Sequence, residues 1–490
     1  MTKNLELLNQ RGRSASGLDR VIISPATEKI IACVQDADEK KVNSAVSDAQ
    51  EAFPLWASKS PAERAGLLFS WANLIEENSA RLALLESKNT GKPLKLSQDG
   101  DLPFAVDNLR FFASAARVLE APASAEYATG YLSFLKREPI GPIALITPWN
   151  YPLMMAVWKL APALAAGNSC VIKPAELTPL TTLEIAKLAL KAGIPEGVIN
   201  VVLGGEETGK ILTTHPAIKM ISFTGDTETG RKIMSQASRT VKRLHLELGG
   251  KAPFIVFDDA HLSAAVQGAV VGSFVNAGQD CTASTRLYIH KKVFDRFVTD
   301  FLKETKKIKL GLFDNPQTDM GPLISAERRS QVEGFLERAK NVEILCGGDR
   351  PSNLKSGFFL NPTVILKAAQ NSELVQKEIF GPVVCLLPFK DEAEAVQLAN
   401  DVEYGLAASV WTSNAQRALR VSSALRFGTV WINDHLPLAS ETPHGGFNQS
   451  GFGKDLSLQA LEEFTVVKHV MADMTGDARK PWHYTAFGKK

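Results

Sequence analysis

Three side chains in this sequence are of types that make and break bonds, and each sits where a fold could hold it. Cys281 lies in NAGQDCTAS, a polar, glycine-containing segment rather than the middle of an apolar strand. A cysteine there is either a nucleophile or a small buried core residue. Cys170 in SCVIK and Cys385 in VVCLLPF, by contrast, stand inside apolar runs and read as core. Glu247 ends a β-like run in LELGGK, with Gly249 and Gly250 permitting close backbone approach just after it. A carboxylate at the end of a strand can serve as a general base or stand as a surface charge at a turn. Asn150, in TPWNYP, can donate its amide to a developing oxyanion or cap the helix that follows.

Three further segments suit a nucleotide. FTGDTETG (223–230) is a strand, a glycine turn and a helix start, whose N–H groups point at whatever occupies the turn, although its GxxxxG spacing is not the GxGxxG fingerprint. In KPAE (173–176), Lys173 and Glu176 can hydrogen-bond the two hydroxyls of a ribose. KEIFGPV (377–383) sets Glu378 and Phe380 before a Gly-Pro turn.

Something must position these groups, and periodicity shows what. IALIT (143–147), SCVIK (169–173), VINVVL (198–203), IKMISFT (218–224) and VKRLHLEL (241–248) are short β-like segments separated by helix-like ones. One such helix has Thr178 as cap, Pro179 in its first turn, Leu180, Leu183 and Ala186 on one face, and Gly193 past its end. Alternation of this kind predicts an α/β fold with a doubly wound parallel sheet, which binds ligands beyond the carboxyl ends of its strands. Residues 40–90 read as two or three amphipathic helices packing that sheet, and a second α/β region runs from about Ala260 to Asn433. GYLSFLKREPIG (130–141) alternates like an exposed strand pair, and EEFTVVKHVM (462–471) is also β-rich. Exposed edges at two distant points predict pairing between subunits, hence a homo-oligomer, dimer or tetramer.

With 490 residues, two or three domains are expected. Lys+Arg 55 against Asp+Glu 53 gives +2, so no global field would gather nucleic acid or an anionic membrane, and the ligand should be small. The five cysteines (also Cys33 and Cys346) form no CxxC or CxxH pattern, so neither a disulfide framework nor a zinc site is indicated. MTKNLELLNQRGRS lacks the apolar core of a secretory signal and no run is long enough to span a bilayer. The expected setting is cytoplasmic.

Taken in order, TPWNYP, KPAELTP, FTGDTETG, LELGGK, NAGQDC and KEIFGPV resemble the NAD(P)-dependent aldehyde dehydrogenase superfamily, over essentially the whole chain from SPATEKII to SGFGKD. Within it, WNYPLMMAVWKLAPALAAGN, NAGQDCTA and WINDHLPLASETPHGGFNQSGFGKD look most like the aminoaldehyde group, especially gamma-aminobutyraldehyde dehydrogenases, with betaine aldehyde dehydrogenases close by. The resemblance implies a cofactor domain (1–121 and 142–250), a second α/β catalytic domain (251–447) and a small β oligomerisation element (122–141 and 462–490). It makes Cys281 the nucleophile, Glu247 the base, and Asn150 with the Cys281 N–H the oxyanion hole; Lys173 is grouped with them and also holds the adenosine ribose with Glu176. The implied NAD surface continues over Thr147, Trp149, Gly209, Phe223, Thr224, Gly225, Asp226, Thr229, Leu248, Gly249, Glu378 and Phe380.

The chemistry implied is attack of the Cys281 thiolate on an aldehyde, loss of hydride to NAD, and hydrolysis of the thioester with Glu247 as base. Relatives that pass the acyl group to coenzyme A generally lack a glutamate there, so Glu247 favours hydrolysis, while the Glu176 carboxylate would repel a 2′-phosphate and favours NAD over NADP. Asp280 can pair with the distal ammonium of a substrate such as 4-aminobutanal, or cap local backbone; Trp158, Asp101 and Asp107 would add an aromatic wall and more negative charge. A betaine aldehyde, a general aliphatic aldehyde, or a catalytically silent relative are the alternatives. Asp226 stands where the family commonly has a small residue, and would either repel a pyrophosphate or turn away to cap its helix. The tail 477–490 has no functional account.

Overall fold

Side chains in the central strands alternate between two apolar cores, which is why helices cover both faces. Ile143, Leu145, Cys170 and Ile172 point into one core with Trp71, Leu109 and Leu160. Ala144, Ile146 and Val171 point into the other with Val42, Leu212 and Ile233. Each large aliphatic buried this way contributes about 1.5–3 kcal/mol, so neither face can be left bare. The structure, a computed structural model, describes residues 19–121 and 123–486; residues 1–18, which include the MTKNLELLNQRGRS segment, Pro122 and residues 487–490 lie outside them.

The six-stranded sheet runs Gly451–Phe452, Arg243–Glu247, Met220–Thr224, Pro142–Ile146, Ser169–Lys173, Ile199–Val201. The last five are parallel, as the periodicity predicts. The first comes from far downstream and closes the edge antiparallel, pairing Gly451 with Glu247. Upstream stand three helices, Glu39–Ser58, Pro61–Glu77 and Ser79–Thr90, the second opened by a capping box between Ser60 and Glu63. The helix expected after Thr178 is Leu180–Lys191, but Thr178 does not cap it. Its hydroxyl is buried without a partner, and the side chain of Asn89 accepts from the Leu180 N–H instead. Leu183 and Ala186 are only half-buried, since the buried line runs through Thr181, Ile185 and Leu188.

A second, seven-stranded sheet has the order Glu343–Cys346, Thr363–Leu366, Val383–Phe389, Ser284–His290, Ala252–Val256, Ala407–Trp411, Thr429–Ile432, parallel except for its first strand. Its own core includes Cys385, whose thiol burial pushes up to about 11, while burial raises that of Cys170 further still. Both are packing residues.

The third sheet corrects an expectation. Residues 130–141 are not a strand pair; Tyr131–Pro139 is one strand, held on both sides by Thr465–Asp473 and Ser124–Ala128. The two segments thought to present separate edges pair with each other, so the edges left over are the outer sides of Ser124–Ala128 and Thr465–Asp473. Among the described residues, no helix is long and apolar enough to cross a membrane.

Candidate active site

The carboxyl ends of the first sheet and the loop leading into strand Ser284–His290 face one cleft of about 970 Å³. Every residue assigned above to catalysis, cofactor or substrate lines it except Asp101 and Asp107.

Cys281 is half-buried in the turn before Ser284–His290. The backbone ahead of it is bent through three successive positive-φ residues, Asn276 (49°), Ala277 (57°) and Gly278 (68°). Non-glycine residues in that region cost about 1–3 kcal/mol each and persist only where the surroundings impose them. Here Gly278 fits because a Cβ would lie 2.4 Å from the Gly381 carbonyl oxygen. A Cβ on Gly250 would come within 2.3 Å of the Cys281 carbonyl oxygen, so the LELGGK glycines do allow the close approach read from the sequence. Downstream, His435 bonds the Thr282 carbonyl at 2.9 Å and Ser409 at 3.1 Å; burial lowers its pKa to about 4, so it works as a neutral brace. Burial pushes the Cys281 thiol well above its ordinary range, and the carboxylates of Asp280, Glu247 and Glu378 push the same way.

Glu247 is 1% exposed, which removes the surface-turn alternative. Neither of its carboxylate oxygens has a hydrogen-bond partner, an unusual state for a buried charge. His444, absent from the sequence reading, faces it at 3.5 Å. The Cys281 sulfur, a Glu247 oxygen and a His444 nitrogen all lie within 4.8 Å of one another. Asn150 does not cap a helix: Tyr151 occupies the N-cap of Pro152–Ala166, while Asn150 lines the cleft and uses one of its two amide N–H groups on the Gln279 carbonyl at 3.1 Å.

Asp280 is heavily engaged. Its Oδ1 accepts from the Thr282 N–H at 2.7 Å and hydroxyl at 2.6 Å, and its Oδ2 from the Tyr151 hydroxyl at 2.8 Å. The local capping alternative is therefore real, although the carboxylate also lines the cleft beside Tyr151, Trp158 and Phe104. Trp158 meets Phe104 edge-on at 5.9 Å and the His444 ring at 5.5 Å, giving the aromatic wall that was expected. Asp101 and Asp107 add no charge to it. Asp101 is buried against Lys92 at 2.6 Å, and Asp107 is exposed and accepts from Ser440.

The other half of the cleft has the shape of a nucleotide cradle. Lys173 donates to the Gly204 carbonyl at 2.8 Å and stands 4.0 Å from Glu176. Gly209 lies against the Lys173 stem. An alanine at 225 would force the Phe223 ring to move, because a Cβ would meet it at 2.4 Å, but the Gly225 N–H is donated to the Glu247 carbonyl and is not free for an anion. Asp226 turns away: it caps Thr227–Ala237 by accepting from the Thr229 N–H at 2.9 Å and hydroxyl at 2.6 Å. Thr147 and Thr224 present buried hydroxyls with no partner to the same space. Glu378 accepts from the Gly250 N–H at 2.9 Å, in room that exists because residue 249 has no Cβ. Burial raises its pKa to about 7. Phe380, at φ 55°, lies 5.2 Å from Trp149 and under Arg328, a second residue the sequence reading passed over, which donates to the carbonyls of Ile379 and Phe380. Leu248 packs against Gly230, closing the floor.

A family model described as "Aldehyde dehydrogenase family" matches residues 14–470. A betaine aldehyde dehydrogenase of Bacillus subtilis is 43% identical over 463 residues, covering 92% of this chain and 93% of that protein. A 2-aminomuconic semialdehyde dehydrogenase of Bos taurus is 39% identical over 454 residues, covering 91% and 93%. The crystal structure of betaine aldehyde dehydrogenase from Staphylococcus aureus in complex with NAD+ superposes with a TM-score of 0.94 at 37% identity, covering 100% of this chain and 97% of that one.

Proposed function

Because the chain belongs to the aldehyde dehydrogenase family, we propose that it oxidises a cationic aldehyde to the carboxylic acid with NAD as cofactor, betaine aldehyde being the leading substrate. The observation that carries this is the meeting of Cys281, Glu247 and Asn150 at one end of a cleft whose other end is a nucleotide cradle. The fit for NAD rests on the unpartnered Thr147 and Thr224 hydroxyls, the Lys173–Glu176 pair, and the space that Gly249 leaves beside Glu378. NAD, when bound, supplies the hydride acceptor.

The chain's residues do the rest. Glu247 takes the Cys281 thiol proton and passes it to solvent, the sulfur adds to the carbonyl carbon, and the Asn150 amide with the Cys281 N–H donates to the oxygen as charge develops, each donor worth about 3–4 kcal/mol in comparable sites. Once hydride has left, the acyl group is a thioester on Cys281. Glu247 removes a proton from water, the hydroxyl oxygen bonds to the acyl carbon, and the carbon–sulfur bond breaks. Glu176 at the cradle's mouth disfavours a 2′-phosphate.

Betaine aldehyde leads because the aromatic side chains of Phe104, Tyr151 and Trp158 line the pocket, a composition that suits a quaternary ammonium. Two of the relatives above carry that name. The primary ammonium of 4-aminobutanal is the second reading, favoured by the Asp280 carboxylate in the wall, although that carboxylate already accepts three hydrogen bonds. The proposal also takes 1–121 and 142–250 as cofactor domain, 251–447 as catalytic domain, and 122–141 with 462–490 as the element joining copies in a dimer or tetramer, in the cytoplasm. An NADH-formation panel of betaine aldehyde, 4-aminobutanal, 3-aminopropanal, succinate semialdehyde and hexanal tests it. Betaine aldehyde should give the highest kcat/KM and Cys281→Ala no NADH; a preference for either of the last two aldehydes would overturn the cationic substrate.

A further inference from the structure

His444 stands in the sequence TPHGGF, and its backbone is pinned by paired hydrogen bonds of 2.8 Å in each direction with Asp455. Both the His444 and Glu247 side chains are 2% exposed, and their charged atoms are 3.5 Å apart. Each Glu247 oxygen lacks a hydrogen-bond partner, so this imidazole is the ion-pair partner that the carboxylate has among the described residues. The residue after it is shaped for the same pairing: Gly445 has φ 148°, and a Cβ there would lie 3.2 Å from Glu247 Oε2 and 2.7 Å from the Gly453 carbonyl oxygen. The ring also meets Trp158 edge-on, with centroids 5.5 Å apart.

We propose that His444 is a positioning residue for Glu247, its imidazolium drawing Oε1 to one side so that Oε2 is turned to the water that attacks the Cys281 thioester. The proposal rests on the aldehyde-oxidising reading above. In the step it serves, a water O–H bond breaks with its proton going to Oε2, the water oxygen bonds to the acyl carbon, and the carbon–sulfur bond breaks with Cys281 leaving as thiolate. His444 neither gives nor takes a proton. The groups facing it are Glu247, Asp455 and Asp280, with Cys281 beside it; Lys454, which also faces Glu247, is committed to the Gly445 carbonyl. Burial works against a charged imidazole, yet the Glu247 carboxylate, then Asp455 and Asp280, outweigh it and raise its pKa.

The test separates acylation from hydrolysis. His444→Phe and His444→Gln are compared with the unmodified enzyme by stopped-flow NADH formation with betaine aldehyde, by steady-state kinetics and by the pH profile of kcat. Loss of the clamp slows only hydrolysis. Both variants should show a burst of NADH approaching one per active site, a kcat lowered about tenfold out of the 10²–10⁴ a general base contributes, and a KM that falls with it. The kcat of the unmodified enzyme should also fall as pH rises through the raised His444 pKa, a limb that both variants lack. An unchanged kcat and pH profile in a folded His444→Gln, or equal loss of burst and steady-state rates, would overturn the proposal. If the unmodified enzyme forms no NADH from any aldehyde of the panel, it is the oxidation reading that fails first.

Discussion

The Tyr151 hydroxyl donates to Asp280 Oδ2 at 2.8 Å, and the same tyrosine ring lies 4.3 Å under the Lys92 ammonium. A buried cation is thereby connected through an aromatic ring to the carboxylate beside the nucleophile. Asp280 has two jobs, bracing Thr282 and presenting charge to the pocket, and substitutions separate them. Asp280→Asn keeps one oxygen to accept from Thr282, sets an amide N–H group against the Tyr151 hydroxyl oxygen, and removes the charge. We expect it to raise KM for betaine aldehyde and 4-aminobutanal several-fold more than for hexanal. Tyr151→Phe takes the donor from the half-buried Asp280 Oδ2, at a cost of about 1 kcal/mol in stability by thermal unfolding. Equal KM effects of Asp280→Asn on charged and uncharged aldehydes would remove Asp280 from recognition.

Asp226 would be an odd neighbour for a pyrophosphate, but its two oxygens are spent on Thr229. Asp226→Ser retains a capping oxygen and should change the Kd for NAD by less than about threefold, whereas Asp226→Ala loses about 1 kcal/mol of helix cap and lowers Tm. A tenfold or greater tightening of NAD by the serine variant in calorimetry would mean that the carboxylate does face the phosphates.

The strand ends carrying Glu247, Asn150 and Lys173 were legible because a parallel sheet puts whatever follows each strand at one edge, and short apolar runs mark the strands. What escaped depended on rotation and on long-range packing. Asp101 and Asp107 were expected in the pocket, but Ser97–Asp101 is a π-helical turn, which shifts the phase of the helix after it. Phe104 and Gly100 reach the cleft instead, and Asp101 turns inward to Lys92. His444 escaped because no local pattern marks a histidine whose partner is a strand end brought beside it by the sheet. The 130–141 segment was misjudged for a related reason: alternation shows that one face is exposed, not that the strand's edges are free.

Lys92 has two carboxylate partners in the core, Asp101 at 2.6 Å and Glu86 at 3.6 Å. Burial raises the pKa of both acids despite the lysine. Lys92→Met leaves two buried carboxyls without a cation, a change that costs about 3–5 kcal/mol for a broken buried pair. The pH dependence has a definite sign. An acid whose folded pKa lies above its unfolded one stabilises the fold at low pH, and that contribution is lost as pH rises through the folded value. Removing Lys92 pushes both acids further up, so the variant should be more destabilised at pH 8 than at pH 5 in denaturant titrations. An equal loss at both pH values would mean that the carboxyls do not titrate in the folded protein.

Glu378 gives the corresponding prediction for the cofactor. Its carboxyl is raised to about 7 by burial, with the Gly250 N–H and Arg328 pulling it down. As part of the NAD surface that the resemblance implies, it would accept hydrogen bonds from the nicotinamide ribose next to a cationic ring, and both would favour the ionised form. Binding NAD+ should therefore lower its pKa and release a proton when the free enzyme holds one. By linkage, affinity for NAD+ should rise as pH increases from 6 to 8 and level off above, with proton release seen by calorimetry in buffers of different ionisation enthalpy. Glu378→Gln cannot ionise, so its affinity should be weaker at pH 8 and nearly flat across the range. A wild-type affinity that does not vary with pH, or a glutamine variant that keeps the slope, would place the titrating group elsewhere in the cleft.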